Sequence, residues 1–407
     1  MRRSIFDRGR PAVALLVVFA AALVAGCATP PPTATRIDTV LGFDEAAASA
    51  ADGLAGQTQK LPGFLARVES KLNKRLVVLD PMLESTTGQQ TATTQRLERQ
   101  VSDRLGNRAD PFEILPFQTD NLGRAQYLLT GTTTRVEGAA TPRQSTLQIH
   151  LALTDLKSGL VVAQASALAR DQGLDHTPLA YYRDSPILVK DAVIDGYNRT
   201  SATPPGQRAE PYYFERISAA ALIGEATDLY NQERYAEALA RYRSALALPH
   251  GDQLRVLNGI YLANVRLGRS ADAEQAFGRV VALGIATNQL GVKLLFNPGG
   301  LEFWADPRVS GVYPMWMRQI ARESLAAKAC LNIVGHTSRT GTDQVNETLS
   351  LQRANIVRQR LVAEAPSLAA RSKTEGRGFR ENIVGSASDN AVDALDRRVE
   401  FRIVPCG

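Results

Sequence analysis

Histidine, tryptophan, methionine and cysteine are scarce in this 407-residue chain, which has 4, 2, 4 and 3 of them. The four histidines (His150, His176, His250 and His336) show no ligand spacing with each other or with the cysteines, which argues against a metal site. A Gly-Lys-Ser/Thr phosphate loop is missing as well. The nearest candidate, "ESTTGQQTATT", contains no lysine and reads as a solvated loop capping the next helix. There is no Ser/His/Asp ordering, zinc triad or supported pair of carboxylates, so the chain reads as noncatalytic and without a cofactor. Charge of one sign is lacking too: 47 Lys and Arg face 41 Asp and Glu, for a formal +6. Arg2, Arg3, Arg8 and Arg10, less Asp7, account for +3, which leaves 6 − 3 = +3 for the rest. That balance gives little reason to expect a nucleic-acid partner. What is present is ordinary: 44% hydrophobic and 22% charged residues suit a globular chain, and the length suggests two to four domains.

The apolar run "AVALLVVFAAALVAG" follows arginines, is short for a membrane span and ends on small residues before Cys27. Val24, Ala25, Gly26 and Cys27 resemble the lipobox of a bacterial lipoprotein leader. The resemblance implies a signal peptide over 1–26 and a lipidated Cys27. With Ala28 next, it also implies an outer-membrane anchor facing the periplasm, held by several acyl chains. An ordinary signal peptide in front of a cysteine is the other reading. Residues 27–60 read as a tether, because "ATPPPTATR" favours extended chain and the Ala-rich stretch after it adds little signal.

Residues 61–200 mix helix and strand. "GFLARVESKLN" has helical spacing, "RLVVLD" is a short strand, and Leu97, Val101 and Leu105 recur every fourth residue on one helical face. "AQYLLTGTTTRV", "STLQIHLALTDL" and "LVVAQASALAR" argue for a mainly antiparallel sheet. In the second of these, Leu147, Ile149, Leu151 and Leu153 alternate, which places His150 on the opposite face. The element order resembles the periplasmic domain of curli-secretion and flagellar-assembly lipoproteins and implies a scaffold role.

Residues 212–287 carry an internal repeat. "YAEALARYRSALAL" and "SADAEQAFGRVVAL" align at an offset of 35, matching Ala238 with Ala273 and Tyr242 with Phe277. This resembles a pair of tetratricopeptide repeats. A helical spacer and a groove for an envelope-protein peptide are both open readings.

The last segment, 290–407, reads as a layered βαβαβ domain: "VKLLFN", "GVYPMWMRQIARESLAAK", "CLNIVGH", "NETLSLQRANIVRQRL" and "DRRVEFRIVPC". Cys330 and Cys406 each border a strand, and the compartment implied by the leader permits a disulfide; a bridge and two separate buried thiols stay open. "GHTSRTG", Asn346, "LSLQRA", Val357 and Leu361, then "GRGF" and "DRRVEF", resemble the OmpA-like peptidoglycan-associated domain. That resemblance implies binding of the diaminopimelate stem peptide of peptidoglycan. Arg353 would then take the ligand carboxylate in a two-pronged hydrogen bond, Asn346 would share its helix face, and Thr337 and Ser338 would line the cleft. Asp396, Arg397 and Arg398 brace the domain or line the cleft, with Arg398 ranked ahead of Arg397. Where many members carry an aspartate to pair with the ligand's ammonium, this chain has Ser338. Asp343 nearby reads as a helix N-cap. The chain as a whole reads as α+β and multidomain: a noncatalytic tether between outer membrane and cell wall, or an assembly scaffold for an envelope machine.

Overall fold

The computed structural model describes residues 33–58, 75–108, 112–136, 145–188, 190–385, 389 and 392–406. The leader, Cys27 and the helix expected over 63–73 lie outside them. Among the described residues no helix is long and apolar enough to cross a membrane.

The tether expected up to residue 60 is shorter, because 35–58 belong to the first folded layer. Strand β1 (Thr35–Leu41) leads into helix α1 (Phe43–Thr58). Ala46, Ala47, Ala50, Ala51 and Leu54 form the buried face of α1. It packs against the buried alanines 163, 165, 167 and 169 of a later strand. Small residues on both sides let helix and sheet approach closely, but they generate little hydrophobic contrast along the sequence, so the helix is hard to read there.

The first sheet runs β1–β7–β6–β5–β2–β4, with β3 also on β5. Its further strands are β2 (Arg75–Leu79), β3 (Leu83–Glu84), β4 (Phe112–Pro116), β5 (Tyr127–Val136), β6 (Thr146–Asp155) and β7 (Val161–Arg170). Only the central β5–β6–β7 meander is antiparallel. β1 on β7, β2 on β4 and β5, and β3 on β5 are parallel, so the sheet is mixed rather than mainly antiparallel. The expected alternation holds on β6: Leu147, Ile149, Leu151 and Leu153 enter the core, and His150 is half-buried on the other face beside Gln164. Helix α2 (Ala92–Gly106) buries Leu97, Val101 and Leu105, and Thr91 caps it by accepting from Thr94 N at 3.2 Å. The loop before it is not solvated, since Thr87, Gln89 and Gln90 are buried.

Helix α3 (Ala192–Ala202) covers the second face of this sheet. Two helical hairpins follow, α4 (Ile217–Asn231) with α5 (Tyr235–Leu246) and α6 (Leu254–Arg266) with α7 (Ser270–Ala286). They do not form an isolated module. Tyr181 and Tyr182, from the segment before them, join their core, while Ile217, Ala220 and Ala221 of α4 join the core under the first sheet. At the far end α7 packs on α8 (Tyr313–Ala326). Phe277 stacks on Trp316 at 5.3 Å, and the Trp316 indole donates to the Tyr261 hydroxyl at 2.9 Å. One apolar core therefore runs from Tyr181 to Phe401.

Asp80 lies where the first sheet meets α4 and α6, and it carries a pH prediction. Burial pushes its carboxyl up to about 7, against the opposing pull of a 2.5 Å hydrogen bond from the Tyr213 hydroxyl and the Arg255 charge. The folded chain therefore holds this proton between about pH 4 and 7, where the unfolded chain has released it, and stability falls as pH rises through that window. Asp80→Asn removes the ionisation while keeping an acceptor for Tyr213. The melting temperature of the variant is expected to match the parent at pH 4 and to exceed it by at least about 2–4 °C at pH 8. Equal melting curves at pH 8 would contradict this.

The C-terminal sheet is ordered β10–β9–β11–β8, from β8 (Leu294–Leu295), β9 (Cys330–Gly335), β10 (Ser372–Gly376) and β11 (Arg398–Val404). β9 lies parallel to β10 and antiparallel to β11. The domain thus has one strand more than expected: β10, "SKTEG", is half-buried and almost wholly polar, so no apolar run marks it. Helices α8 and α9 (Asp343–Glu364) pack against this layer. Cys330 and Cys406 form a disulfide that joins the start of β9 to the end of β11, with Cα atoms 5.3 Å apart.

Candidate functional site: the turn after β9

Strand β9 is buried at every position and ends on Gly335. A Cβ at Gly335 would lie 1.9 Å from the Ser350 carbonyl oxygen of α9, and one at the paired Gly376 would lie 2.7 Å from the Glu347 carbonyl oxygen. The two glycines let α9 press onto the ends of β9 and β10. That contact sets the turn 336–342 against the helix's own N-terminal half. The turn is pinned by its backbone: His336 N donates to Arg398 O at 2.8 Å, and Thr337 N to Gly378 O at 2.9 Å. Thr342, not Asp343, caps the helix by accepting from Val345 N at 3.4 Å. Asn346 donates through Nδ2 to the carbonyls of Thr340 (2.8 Å) and Thr342 (3.1 Å), so it holds the turn's shape.

Arg353 lies two helical turns further along the same buried face of α9 and has 0% exposure. Its Nε donates to Gly300 O at 3.0 Å, Nη2 to Asn297 O at 2.8 Å and Nη1 to His336 O at 3.2 Å. The expected open fork is therefore covered by the loop after β8 and held by carbonyls. Three of its five N–H donors are used, and among the described residues no carboxylate forms an ion pair with it. Burial and the nearby Arg397 charge lower its pKa to about 10, with Asp389 opposing. A guanidinium buried without a counter-charge is costly, and an incoming anion would relieve that cost.

Ser338 donates to Asp389 Oδ1 at 2.5 Å, Thr340 donates to Oδ2 at 2.9 Å, and Arg397 Nη1 donates to Oδ1 at 2.9 Å. Burial raises the Asp389 pKa, but these two hydroxyls and the Arg397 charge outweigh it and hold the carboxyl below its usual range. Ser338 and Arg397 are buried, while the Asp389 side chain is 30% exposed. Thr337 is buried in the same turn, and its hydroxyl has no hydrogen-bond partner among the described residues. The structure thus brings Thr337, Ser338, Asn346 and Arg353 around one turn and adds Asp389 and Arg397.

Arg398 points elsewhere, contrary to its ranking ahead of Arg397. Arg397 precedes β11 and turns to Asp389, whereas Arg398 is the first residue of the strand. Arg398 pairs with Glu400 at 2.8 Å and donates to the carbonyls of Glu381 and Leu395. Asp396 braces the preceding loop, accepting from the backbone N–H groups of Ile383, Val384 and Gly385. His336, Glu381 and Glu400 bring potential ligand atoms within 4.8 Å of one another. Arg398 and Arg402 already hold Glu400, and Arg402 also holds Glu381. The trio is therefore built as part of an ion-pair network, and a cation would have to displace those guanidiniums. Asp389 escapes sequence reading because it lies 51 residues from Ser338 in a polar loop, and no spacing rule links the two.

Residues 317–394 match the OmpA family. The match includes the whole turn, α9, β10 and the loop carrying Asp389. No curated protein matches the chain. Among solved structures, the chain is similar to the peptidoglycan-associated lipoprotein from Burkholderia pseudomallei, at 19% identity and a TM-score of 0.25, over 29% of this chain and 94% of that one. It is also similar to the cell wall anchor of the T6SS from Pseudomonas aeruginosa, at 25% identity and a TM-score of 0.22, over 27% and 73%. The periplasmic domain of Helicobacter pylori MotB is similar at 17% identity and a TM-score of 0.22, over 28% and 71%.

Proposed function

We propose that the chain is a noncatalytic envelope protein, anchored in the outer membrane through Cys27, that grips the diaminopimelate stem peptide of peptidoglycan at the turn after β9. The observation that carries this reading is Arg353, fully buried in the matched region with no carboxylate partner among the described residues and two N–H donors to spare. A ligand carboxylate that displaces the covering loop from that guanidinium would supply the missing counter-charge in charge-assisted hydrogen bonds. Asn346 shapes the turn, and Thr337 and Ser338 contribute hydroxyls. Arg398 acts as a brace. The two helical hairpins, read as tetratricopeptide repeats, serve in this proposal as a stiff connector, which the shared core with α8 supports.

Sedimentation with purified sacculi tests the proposal, using the full-length chain in detergent. It is expected to co-sediment with diaminopimelate-type walls and to stay in the supernatant with lysine-type walls, which lack the second carboxylate. Recovery in the supernatant with both walls would refute the proposal, and equal sedimentation with both would remove the diaminopimelate specificity.

A further inference from the structure

We infer that Asp389 is the acceptor for the ligand's ammonium group, supplying from a distant loop the carboxylate that position 338 lacks. The inference rests on the stem-peptide reading above and adds to it the half of the ligand that Arg353 cannot hold. Diaminopimelate ends in a carboxylate and an ammonium on one carbon. A site for that end needs a cation and an anion side by side, each with spare hydrogen-bonding capacity.

The geometry assigns the anion. Ser338 stands at the turn position where an aspartate would serve, and its hydroxyl points at Asp389 Oδ1, 2.5 Å away. Oδ1 also receives Arg397, whereas Oδ2 receives only Thr340 among the described donors. A carboxylate oxygen accepts about two hydrogen bonds, so Oδ2 keeps room for one more donor. Asp389 is also partly open to solvent, whereas Ser338, Arg353 and Arg397 are buried. Its backbone has φ +55°, a left-handed conformation that is uncommon outside glycine. The bond from its own N–H to the Asp393 side chain at 2.9 Å helps hold that conformation. Asp389 thus adopts a disfavoured backbone conformation with its carboxylate held on Ser338. A lone surface aspartate would need none of these arrangements.

Calorimetry with two soluble muropeptides tests the assignment: a diaminopimelate tetrapeptide, and the same molecule with the side-chain amine acetylated. The full-length chain is expected to prefer the free amine by roughly 10–100-fold, the worth of a charge-assisted hydrogen bond. Asp389→Asn is expected to bind both about equally, and adding Ser338→Asp to that variant is expected to restore the preference. If Asp389→Asn keeps the full preference, or if it loses all binding and Ser338→Asp restores none, Asp389 is a loop anchor and the assignment falls while the stem-peptide reading stands. If the unsubstituted chain binds neither muropeptide, the stem-peptide reading falls and takes the assignment with it.

Discussion

Gly335→Ala is expected to unfold the C-terminal layer at temperatures where the rest of the chain is still folded. The new Cβ would meet the Ser350 carbonyl oxygen at 1.9 Å and its carbon at 2.7 Å, and both atoms are backbone. No rotamer change relieves such a clash. α9 would have to lift from β9, giving up the buried contacts of Ala354, Val357 and Leu361. Overpacking against movable side chains costs about 1–3 kcal/mol, and displacing a packed helix backbone should reach the upper end or exceed it. Gly56→Ala is the matching control, since it sits in α1 with nothing within 4 Å. There the change should be neutral or stabilising by about 0.5–1 kcal/mol. Thermal denaturation followed by near-ultraviolet circular dichroism separates the two, and equal melting of the variants would contradict the close-contact account.

Arg353→Ala is expected to destabilise the same layer by about 3 kcal/mol or more and to abolish wall binding at temperatures where the chain is still folded. Its guanidinium satisfies the carbonyls of Asn297, Gly300 and His336, and removal leaves them facing a cavity in the core beside Phe296. An unsatisfied buried polar group costs about 1–3 kcal/mol, so even partial rehydration leaves a large deficit. Arg353→Lys keeps the charge but cannot reach all three acceptors, and it should recover less than half of the loss. Urea unfolding of the three chains orders them as Arg, Lys, Ala. A chain with alanine as stable as the parent would mean that Arg353 is free of the loop in solution.

Much of the C-terminal layer was legible from residue pattern alone. "CLNIVG" is a mainly apolar run, broken only by Asn332, that suits a buried strand, and Ala354, Val357 and Leu361 mark the sheet-facing stripe of α9. The hairpin helices announce themselves through matched small and aromatic residues, of which Ala238, Ala273, Tyr242 and Phe277 are buried. Elements without contrast were hidden. α1 buries alanines, and β10 is polar because it is half-covered, so neither produces a hydrophobic signal. Asp343 looked like a cap, but Thr342, one residue earlier, has the extended backbone that a cap requires. Arg397 and Arg398 are adjacent and chemically identical, so only their tertiary partners, Asp389 for one and Glu400 for the other, distinguish them.

Local sequence by itself determined the helical stripes of α2 and α9, the strand leading into the turn after β9, and that Arg353 and Asn346 would share a helix face. Those properties depend on backbone periodicity, which acts over one or two turns of chain. Only tertiary structure decided that Arg353 is sealed beneath the loop after β8, that the hairpins share a core with α8, and that a carboxylate 51 residues away meets Ser338. Such placements depend on loop closure and on which faces pack together, and no local pattern encodes them because the partners are chosen by the whole chain's burial of apolar surface.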